Sequence, residues 1–103
     1  MAAYLIVRAV VPESERKAFD VWYAEEHLRD AVKAFKAARA WRGWSQVEPQ
    51  LHYAFYEFPT LAAVQAVMAS DAIKGLIAEF DRVWGTRVTR TREVVEVTQA
   101  LTG

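Results

Sequence analysis

The chain has 103 residues, with four Trp, four Tyr, five Phe, no Cys, and a formal net charge of zero from 13 basic and 13 acidic residues. This length fits one domain over residues 1–103, and so small a domain leaves much surface uncovered, so we expect some aromatic side chains to line a pocket or a subunit interface. The balanced charge argues against broad electrostatic binding to nucleic acid or an anionic membrane, and the absence of cysteine excludes disulfides, thiolate nucleophiles and cysteine-ligated metals.

The first two predicted elements are a strand and a long helix. Residues 3–11 alternate between two sets of mostly apolar side chains, which is typical of a central strand covered on both faces. No basic segment precedes this run, and no apolar run approaches the ~20 residues of a membrane span, so we expect a cytoplasmic protein. Pro12 ends the strand, and acidic residues begin a helix predicted over residues 13–33, in which Tyr23 and His27 share one face.

The stretch 36–47 supports two interpretations. Its basic residues recur every three positions, as they would along one side of a helix. Trp41, Gly43 and Trp44 continue a helix poorly, however, and the aromatic run 51–58 follows after a Glu-Pro-Gln turn. The two stretches are therefore predicted to be the strands of a hairpin.

The remaining elements complete a βαββαβ order. Two helices are predicted over 60–69 and 71–84, with Ser70 as the N-cap between them, followed by a last strand over 87–98. This order indicates an α+β protein with the ferredoxin-like sandwich, in which helices cover one face of a four-stranded antiparallel sheet. The other face stays open, and aromatic side chains there would need a partner. We therefore predict a homodimer formed through the open sheet face.

Several short motifs resemble those of one known group of proteins. Residues 22–30 (WYAEEHLRD) are similar to the Trp-Glu-His helix of EthD-like proteins, which belong to the dimeric α/β-barrel superfamily. Residues 37–42 and 53–58 resemble the second and third strands of that group, and Ser70 with Asp71 resembles its short helix start. The resemblance covers most of the chain.

This resemblance implies a homodimer whose two sheets pack face to face as a barrel, and a cleft between the sheet and the helices. The superfamily includes cofactor-independent monooxygenases, isomerases, polyketide cyclases and haem-dependent enzymes, and the fold does not select among them. In EthD-like proteins the histidine of the first helix points into or near the cleft. His27 is the matching residue in this chain.

His27 is the candidate catalytic residue. An imidazole with a pKa near ~6.5 can act as a general acid or base at neutral pH, and Glu26 or Asp30 could orient or charge it. The alternative is a histidine near the C-terminal end of its helix that interacts only with the helix dipole. His52, which lies beside a turn, is expected to have a surface or hairpin role.

Aromatic and cationic side chains are the candidates for binding a small apolar or aromatic ligand. The alternative for each aromatic residue is packing in the core or the dimer interface. An arginine on a strand could hold a carboxylate or enolate through its planar fork of donors, or it could form an ion pair between subunits. The strand arginines are Arg8, Arg39, Arg90 and Arg92. The predicted substrate-binding residues are Trp22, Tyr23, Arg39, Trp41, Tyr53 and Tyr56.

No motif predicts a cofactor. The four glycines are isolated, no serine has the context of a nucleophile, and the two histidines lack metal-ligand spacing, so we predict no NAD, FAD, ATP or metal. The helical region 60–84 contains no histidine to ligate haem. Two hypotheses remain. One is a small cofactor-independent isomerase, cyclase or monooxygenase for an aromatic or polyketide-like molecule; the other is a non-catalytic homodimer that binds a small molecule or accompanies a larger enzyme.

Overall fold

The structure, a computed structural model, describes every residue from Met1 to Gly103. Its strands are β1 (Ala3–Val10), β2 (Arg39–Trp44), β3 (Leu51–Phe58) and β4 (Thr89–Glu96). They form one sheet in the order β2-β3-β1-β4, and every neighbouring pair is antiparallel. β1 is therefore a central strand, as its apolar pattern predicted.

The helices lie on one face of this sheet. α1 (Glu13–Trp22), a π-helical turn (Tyr23–His27) and α2 (Leu28–Phe35) follow each other without a break, and together they extend slightly beyond the predicted helix. α3 (Leu61–Met68) and α4 (Asp71–Trp84) follow the hairpin of β2 and β3. This arrangement confirms the predicted βαββαβ order and the ferredoxin-like fold.

Local sequence signals set the ends of the helices. Lys36 adopts a left-handed conformation with φ of 55°, which stops α2. Thr60 caps α3 and Ser70 caps α4, because each side-chain oxygen accepts a hydrogen bond from a backbone N–H of the first turn. No single helix is long and apolar enough to cross a membrane; α3 and α4 meet those criteria only as a pair, and that pair is bent by 60°.

Strand alternation gives the sheet two different faces. On the inner face, which packs against the helices, most residues of β1 and β3 are buried. The helices add large apolar side chains to the same core. These are Phe19, Val64, Ile73, Phe80 and Trp84. Removal of this apolar surface from water is the main contribution to the stability of the fold.

The outer face of the sheet carries a row of stacked aromatic rings with no helix above it. Trp41 stacks on Phe55 with ring centroids 5.6 Å apart, and Phe55 stacks on Tyr53 at 6.1 Å. Trp41 remains 38% exposed. Beside this row, Arg39 forms an ion pair of 3.3 Å with Glu57 of the same chain. The outer face therefore carries an aromatic patch bordered by the ion pair of Arg39 with Glu57, and Arg8 and Glu93 lie on the same face.

Polar contacts hold the edge strand β2 against α1. Asp20 Oδ1 accepts hydrogen bonds from Arg42 Nη1 at 2.8 Å and from Trp44 Nε1 at 3.0 Å. Arg42 Nη1 also donates to His52 Nε2 at 3.2 Å. The hydrogen bonds from Trp44 and Arg42 lower the pKa of Asp20, so its carboxylate stays ionised at neutral pH. The pairing of Arg42 with Ala54 puts this arginine on the inner face, and the ionised carboxylate of Asp20 compensates its charge there.

Candidate active site

A narrow cleft lies between the inner face of the sheet and the helices. The space inside it that a water molecule could occupy is only about 30 Å³, because the lining side chains nearly fill it. Side chains from β1 and β3, the π-helical turn, α2, α4 and β4 line it. The lining residues that carry polar or aromatic groups are Tyr23, His27, Phe35, Tyr56, Phe80, Arg90 and Arg92. No carboxylate lines the cleft.

The π-helical turn keeps the inward-facing residues of the first helical segment in line. Phe19, Tyr23, His27, Ala31 and Phe35 are spaced by four residues, and all are buried. In a regular α-helix, four residues advance one turn plus about 40°, so such a row would gradually leave the core side. The wider i→i+5 turn of a π-helix counteracts that rotation. Tyr23 and His27 therefore both reach the cleft.

The same continuity overturns one interpretation of His27. Because α2 follows it directly, His27 does not lie near the C-terminal end of a helix. The helix dipole therefore cannot account for this histidine, since the dipole acts only within the last turn. Its properties come instead from the rings and charges around it.

Aromatic rings enclose the His27 imidazole. It stacks on Trp22 with ring centroids 4.4 Å apart, while Tyr23 and Phe80 meet it at steep angles with centroids at 4.9 Å and 5.8 Å. His27 is 7% exposed, and its Nδ1 atom is buried without a hydrogen-bond partner. A buried polar atom without a partner is unfavourable, so a ligand atom that bonds to this nitrogen would be bound with a net gain.

The surroundings of His27 keep its imidazole neutral. Burial, together with the positive charge of Arg90, lowers the pKa of His27 from 6.5 to about 4. Asp30 and Glu79 oppose this shift but do not cancel it. At neutral pH the imidazole therefore has one nitrogen ready to accept a proton.

Two tyrosine hydroxyls meet in the cleft. Tyr23 and Tyr56 have their hydroxyl oxygens 3.4 Å apart, a long hydrogen bond in which either can donate. Burial raises the pKa of Tyr23 and raises that of Tyr56 well above its ordinary value. Both hydroxyls are therefore protonated at neutral pH, and the one that accepts within the pair keeps its own hydrogen for a ligand oxygen.

Two arginines of β4 bring positive charge to the cleft. Arg90 is held in place, because its Nη1 lies 3.0 Å from Asp81 Oδ1 and its guanidinium carbon lies 3.9 Å from the centre of the Phe80 ring. Arg92 is half-buried, and burial together with the charge of Arg90 lowers its pKa. The cleft thus combines a neutral base, hydroxyl donors and cations within an apolar wall.

The structure brings part of the predicted substrate-binding set to His27. Tyr23 and Tyr56 line the cleft beside it, and Trp22 forms one side of the imidazole stack. Tyr56 reaches the cleft because β3 alternates, which directs its even-numbered residues inward. Their role in binding a substrate stays a prediction.

The other part of that set does not reach the cleft. Trp41 pairs with Phe55, and Arg39 with Glu57, on the outer face of the sheet, where Tyr53 also lies. Residues paired across antiparallel strands share a face, so these three side chains point away from His27. Arg39, Trp41 and Tyr53 therefore lie outside the cleft that His27 lines, and a role for them in binding a substrate stays a prediction.

The predicted surface position of His52 was also wrong. It is 1% exposed, because its register opposite Ala9 and Trp44 puts it on the inner face. Burial and the charge of Arg42 lower its pKa to about 4. The alternation of the buried residues His52, Ala54, Tyr56 and Phe58 carried this information.

Sequence reasoning did not assign the apolar walls of the cleft. Helical spacing puts Ile73, Leu76, Ile77 and Phe80 on one apolar face of α4, and that face lines the cleft. Their spacing identified a buried stripe but not the gap beside it. No group of three or more His, Asp or Glu side chains lies close enough together to hold a metal ion.

Comparison with known proteins identifies the fold. No protein-family model and no curated protein sequence matches the chain. Among solved structures, an EthD family protein from Bacillus halodurans is 19% identical with a TM-score of 0.75, over 95% of this chain and 100% of its own. SnoaB, a cofactor-independent oxygenase from Streptomyces nogalater, is 11% identical with a TM-score of 0.66, over 99% and 98%.

A third match is a candidate antibiotic biosynthesis monooxygenase from Deinococcus radiodurans. It is 10% identical with a TM-score of 0.68, over 97% of this chain and 96% of its own. Likeness at these identities establishes the fold and not the reaction. The predicted resemblance to EthD-like proteins is therefore confirmed at the level of the fold.

Proposed function

We propose that the chain is a small enzyme that acts without a cofactor on an aromatic or polyketide-like molecule bound in the cleft. The reaction is of the isomerase, cyclase or monooxygenase type, and it begins when a proton leaves a carbon or hydroxyl group next to a conjugated system. The observation that carries the proposal is the neutral imidazole of His27, which lines an apolar cleft and has a buried nitrogen without a hydrogen-bond partner. The shared fold of a cofactor-independent oxygenase supports the reaction class.

In this proposal His27 is the general base. Its low pKa keeps it in the proton-accepting form at neutral pH, but it also makes the imidazole a weak base. The anion left on the substrate must therefore be stabilised. Arg90 and Arg92 supply positive charge for this, and an enolate beside the imidazole raises the pKa of His27 as the proton arrives. The imidazolium and the enolate attract each other more strongly in an apolar cleft than in water, which offsets part of the cost of charging both groups.

The aromatic residues position the substrate and the catalytic base. The Tyr23–Tyr56 pair presents a hydroxyl hydrogen to a substrate oxygen, and Trp22 fixes the plane of the imidazole. A base held in one orientation loses less freedom when it reaches the transition state. The apolar wall favours a substrate with a flat ring, and the lining side chains move apart to admit it, because the empty space is only about 30 Å³.

We also propose that the active form is a homodimer joined through the outer sheet face. The stacked row of Trp41, Phe55 and Tyr53 supports this, because no part of the same chain covers it. A second copy would bring the same aromatic patch, which satisfies the requirement of a two-fold interface that both chains use the same surface.

A proton-exchange measurement tests the proposed chemistry. The probe is 2-tetralone, an aromatic ketone with an acidic methylene between its ring and its carbonyl, and NMR in D₂O follows loss of the methylene signal. We expect the protein to accelerate exchange, and the His27→Gln variant to lose about 100-fold or more of that acceleration. The His52→Gln variant is the matched control, since it removes a buried histidine outside the cleft.

Because side chains nearly fill the cleft, the structure also favours one alternative, a non-catalytic homodimer that binds a small molecule or accompanies a larger enzyme. The exchange measurement separates the two functions. A protein that binds 2-tetralone without accelerating exchange, or a His27→Gln variant that exchanges as fast as the parent, would exclude His27 as a base.

A further inference from the structure

Arg92 is the one cation of the cleft that the chain does not neutralise. Its guanidinium forms no ion pair and no side-chain hydrogen bond with any other residue, although the side chain is half-buried. Arg90, two positions earlier, contacts both Asp81 and Phe80. Because no carboxylate lines the cleft, the charge of Arg92 is offset only from a distance by Asp81, which already forms an ion pair with Arg90.

A half-buried guanidinium without a partner is unfavourable in the empty protein. It has lost part of its hydration, and no internal acceptor replaces the lost hydrogen bonds. The same group becomes favourable when an anionic oxygen occupies the space beside it. Arginine suits this role because two of its N–H groups lie parallel and match the two oxygens of a carboxylate.

We propose that the cleft selects molecules that carry one anionic oxygen group beside a flat apolar ring, and that Arg92 anchors this group. The anionic group is a carboxylate or an ionised enol or phenol. This inference rests on the proposed function, because it places the substrate beside His27 and names its class. Arg92 is the specificity-determining residue, and Arg90 remains bound to Asp81.

The position of Arg92 in the sheet fits this division of roles. Arg92 pairs with Val7 of β1, so its side chain starts from the inner face, next to an apolar wall residue of the cleft. The ring of a ligand held there would lie against Val7 and Phe80, with the imidazole of His27 across the cleft. An anion in this place also offsets the charges that depress the pKa of His27, which makes the base stronger when the substrate is bound.

Benzoate and benzyl alcohol test the proposal, because they share a ring and differ mainly in charge. Chemical-shift titration by NMR gives both dissociation constants. We expect benzoate to bind at least about tenfold more tightly than benzyl alcohol, as a charge-assisted hydrogen bond predicts. Benzoate should also raise the pKa of His27 from about 4, and benzyl alcohol should leave it unchanged.

Three variants isolate the contribution of Arg92. Arg92→Met should bind the two compounds equally, while Arg92→Lys, which keeps the charge but not the planar fork, should retain part of the preference. Arg29→Met is the matched control, because it removes the same charge from the exposed side of α2 and should keep the full preference. The comparison of the two ligands on the parent protein applies even if Arg92→Met fails to fold.

Equal affinities for the two compounds, no binding of benzoate at millimolar concentration, or an unchanged preference in Arg92→Met would overturn the proposal. Each of these results leaves the exchange measurement on His27 unaffected. Selective, Arg92-dependent binding of benzoate by a protein that does not accelerate exchange would instead keep this inference and exclude the general-base function.

Discussion

The imidazole of His27 stacks on the indole of Trp22, with ring centroids 4.4 Å apart and planes inclined by 18°. The two residues are five positions apart, a spacing that does not bring side chains together in a regular α-helix. The π-helical turn makes the contact possible, because its hydrogen bonds join residues i and i+5, as between the Leu28 N–H and the Tyr23 carbonyl. The turn therefore creates the environment that keeps His27 neutral.

Replacement of Trp22 should make His27 more basic. In Trp22→Leu, water reaches one face of the imidazole, so the pKa of His27 should rise from about 4 toward 6.5. The loss of the aromatic pair should also reduce the free energy of unfolding by about 1–3 kcal/mol. Trp41→Leu, the same change on the outer face, should leave the pKa of His27 unaltered. An NMR titration of both variants measures this, and equal pKa values in them would contradict the account.

The stability of the protein should fall below neutral pH. Both buried histidines have a pKa of about 4 in the folded chain against 6.5 when unfolded, so the unfolded state takes up protons first as the pH decreases. Their contribution to stability is complete above about pH 7 and declines between 6.5 and 4. By about pH 5 the loss should be about 2 kcal/mol for each histidine. Urea unfolding at several pH values measures this, and His27→Gln should show a shallower decline; a flat profile would contradict it.

The outer face should hold two chains together. Sedimentation at micromolar concentration should give about twice the chain mass of 11.7 kDa. Phe55→Glu places a charge in the middle of the stacked aromatic row, and it should dissociate the dimer because a charge without a partner is unfavourable in an apolar interface. Ala62→Glu, on the exposed side of α3, should remain dimeric. A parent protein that sediments as a monomer would contradict the proposed dimer and its barrel arrangement.

The contact between Asp20 and the β2 strand should contribute modestly to stability. Asp20→Asn removes the charge that Arg42 meets at 2.8 Å, and its side chain is 49% exposed, so the expected loss is about 1 kcal/mol rather than that of a fully buried ion pair. Glu25→Gln removes the same charge from the exposed side of the helical segment and should change little. Chemical unfolding at neutral pH compares the two, and equal losses would show that Asp20 does not hold β2.

The element order could be predicted because local residues mark most boundaries. Pro12 ends β1, and the caps Thr60 and Ser70 begin the helices where their side-chain oxygens find backbone N–H groups. Gly43 and its neighbouring tryptophans correctly outweighed the basic spacing that indicated a helix over 36–47. These signals act within a few residues, so they can be recognised in the sequence without knowledge of the tertiary structure.

The composition of the cleft depends on long-range register, which short motifs do not contain. A strand places alternate residues on opposite faces, so the aromatic residues of β2 and β3 divide between the cleft and the outer face once the pairing of Trp41 with Phe55 is set. The π-helical turn was missed although the sequence carries a signal for it. Buried residues at a strict spacing of four, from Phe19 to Phe35, exceed what a straight α-helix can keep on one side.

An NMR titration of the His27 imidazole, followed through its ring nitrogens, tests the central claim most directly. The proposed base must be neutral and desolvated in the resting protein, so the account predicts a pKa of about 4 and an imidazole that is uncharged at neutral pH. A small aromatic anion should then shift both the pKa and the ring resonances. An imidazole that titrates near 6.5, as in an unfolded peptide, and that no aromatic compound perturbs would show that His27 is solvated, and the proposed active site would lose its base.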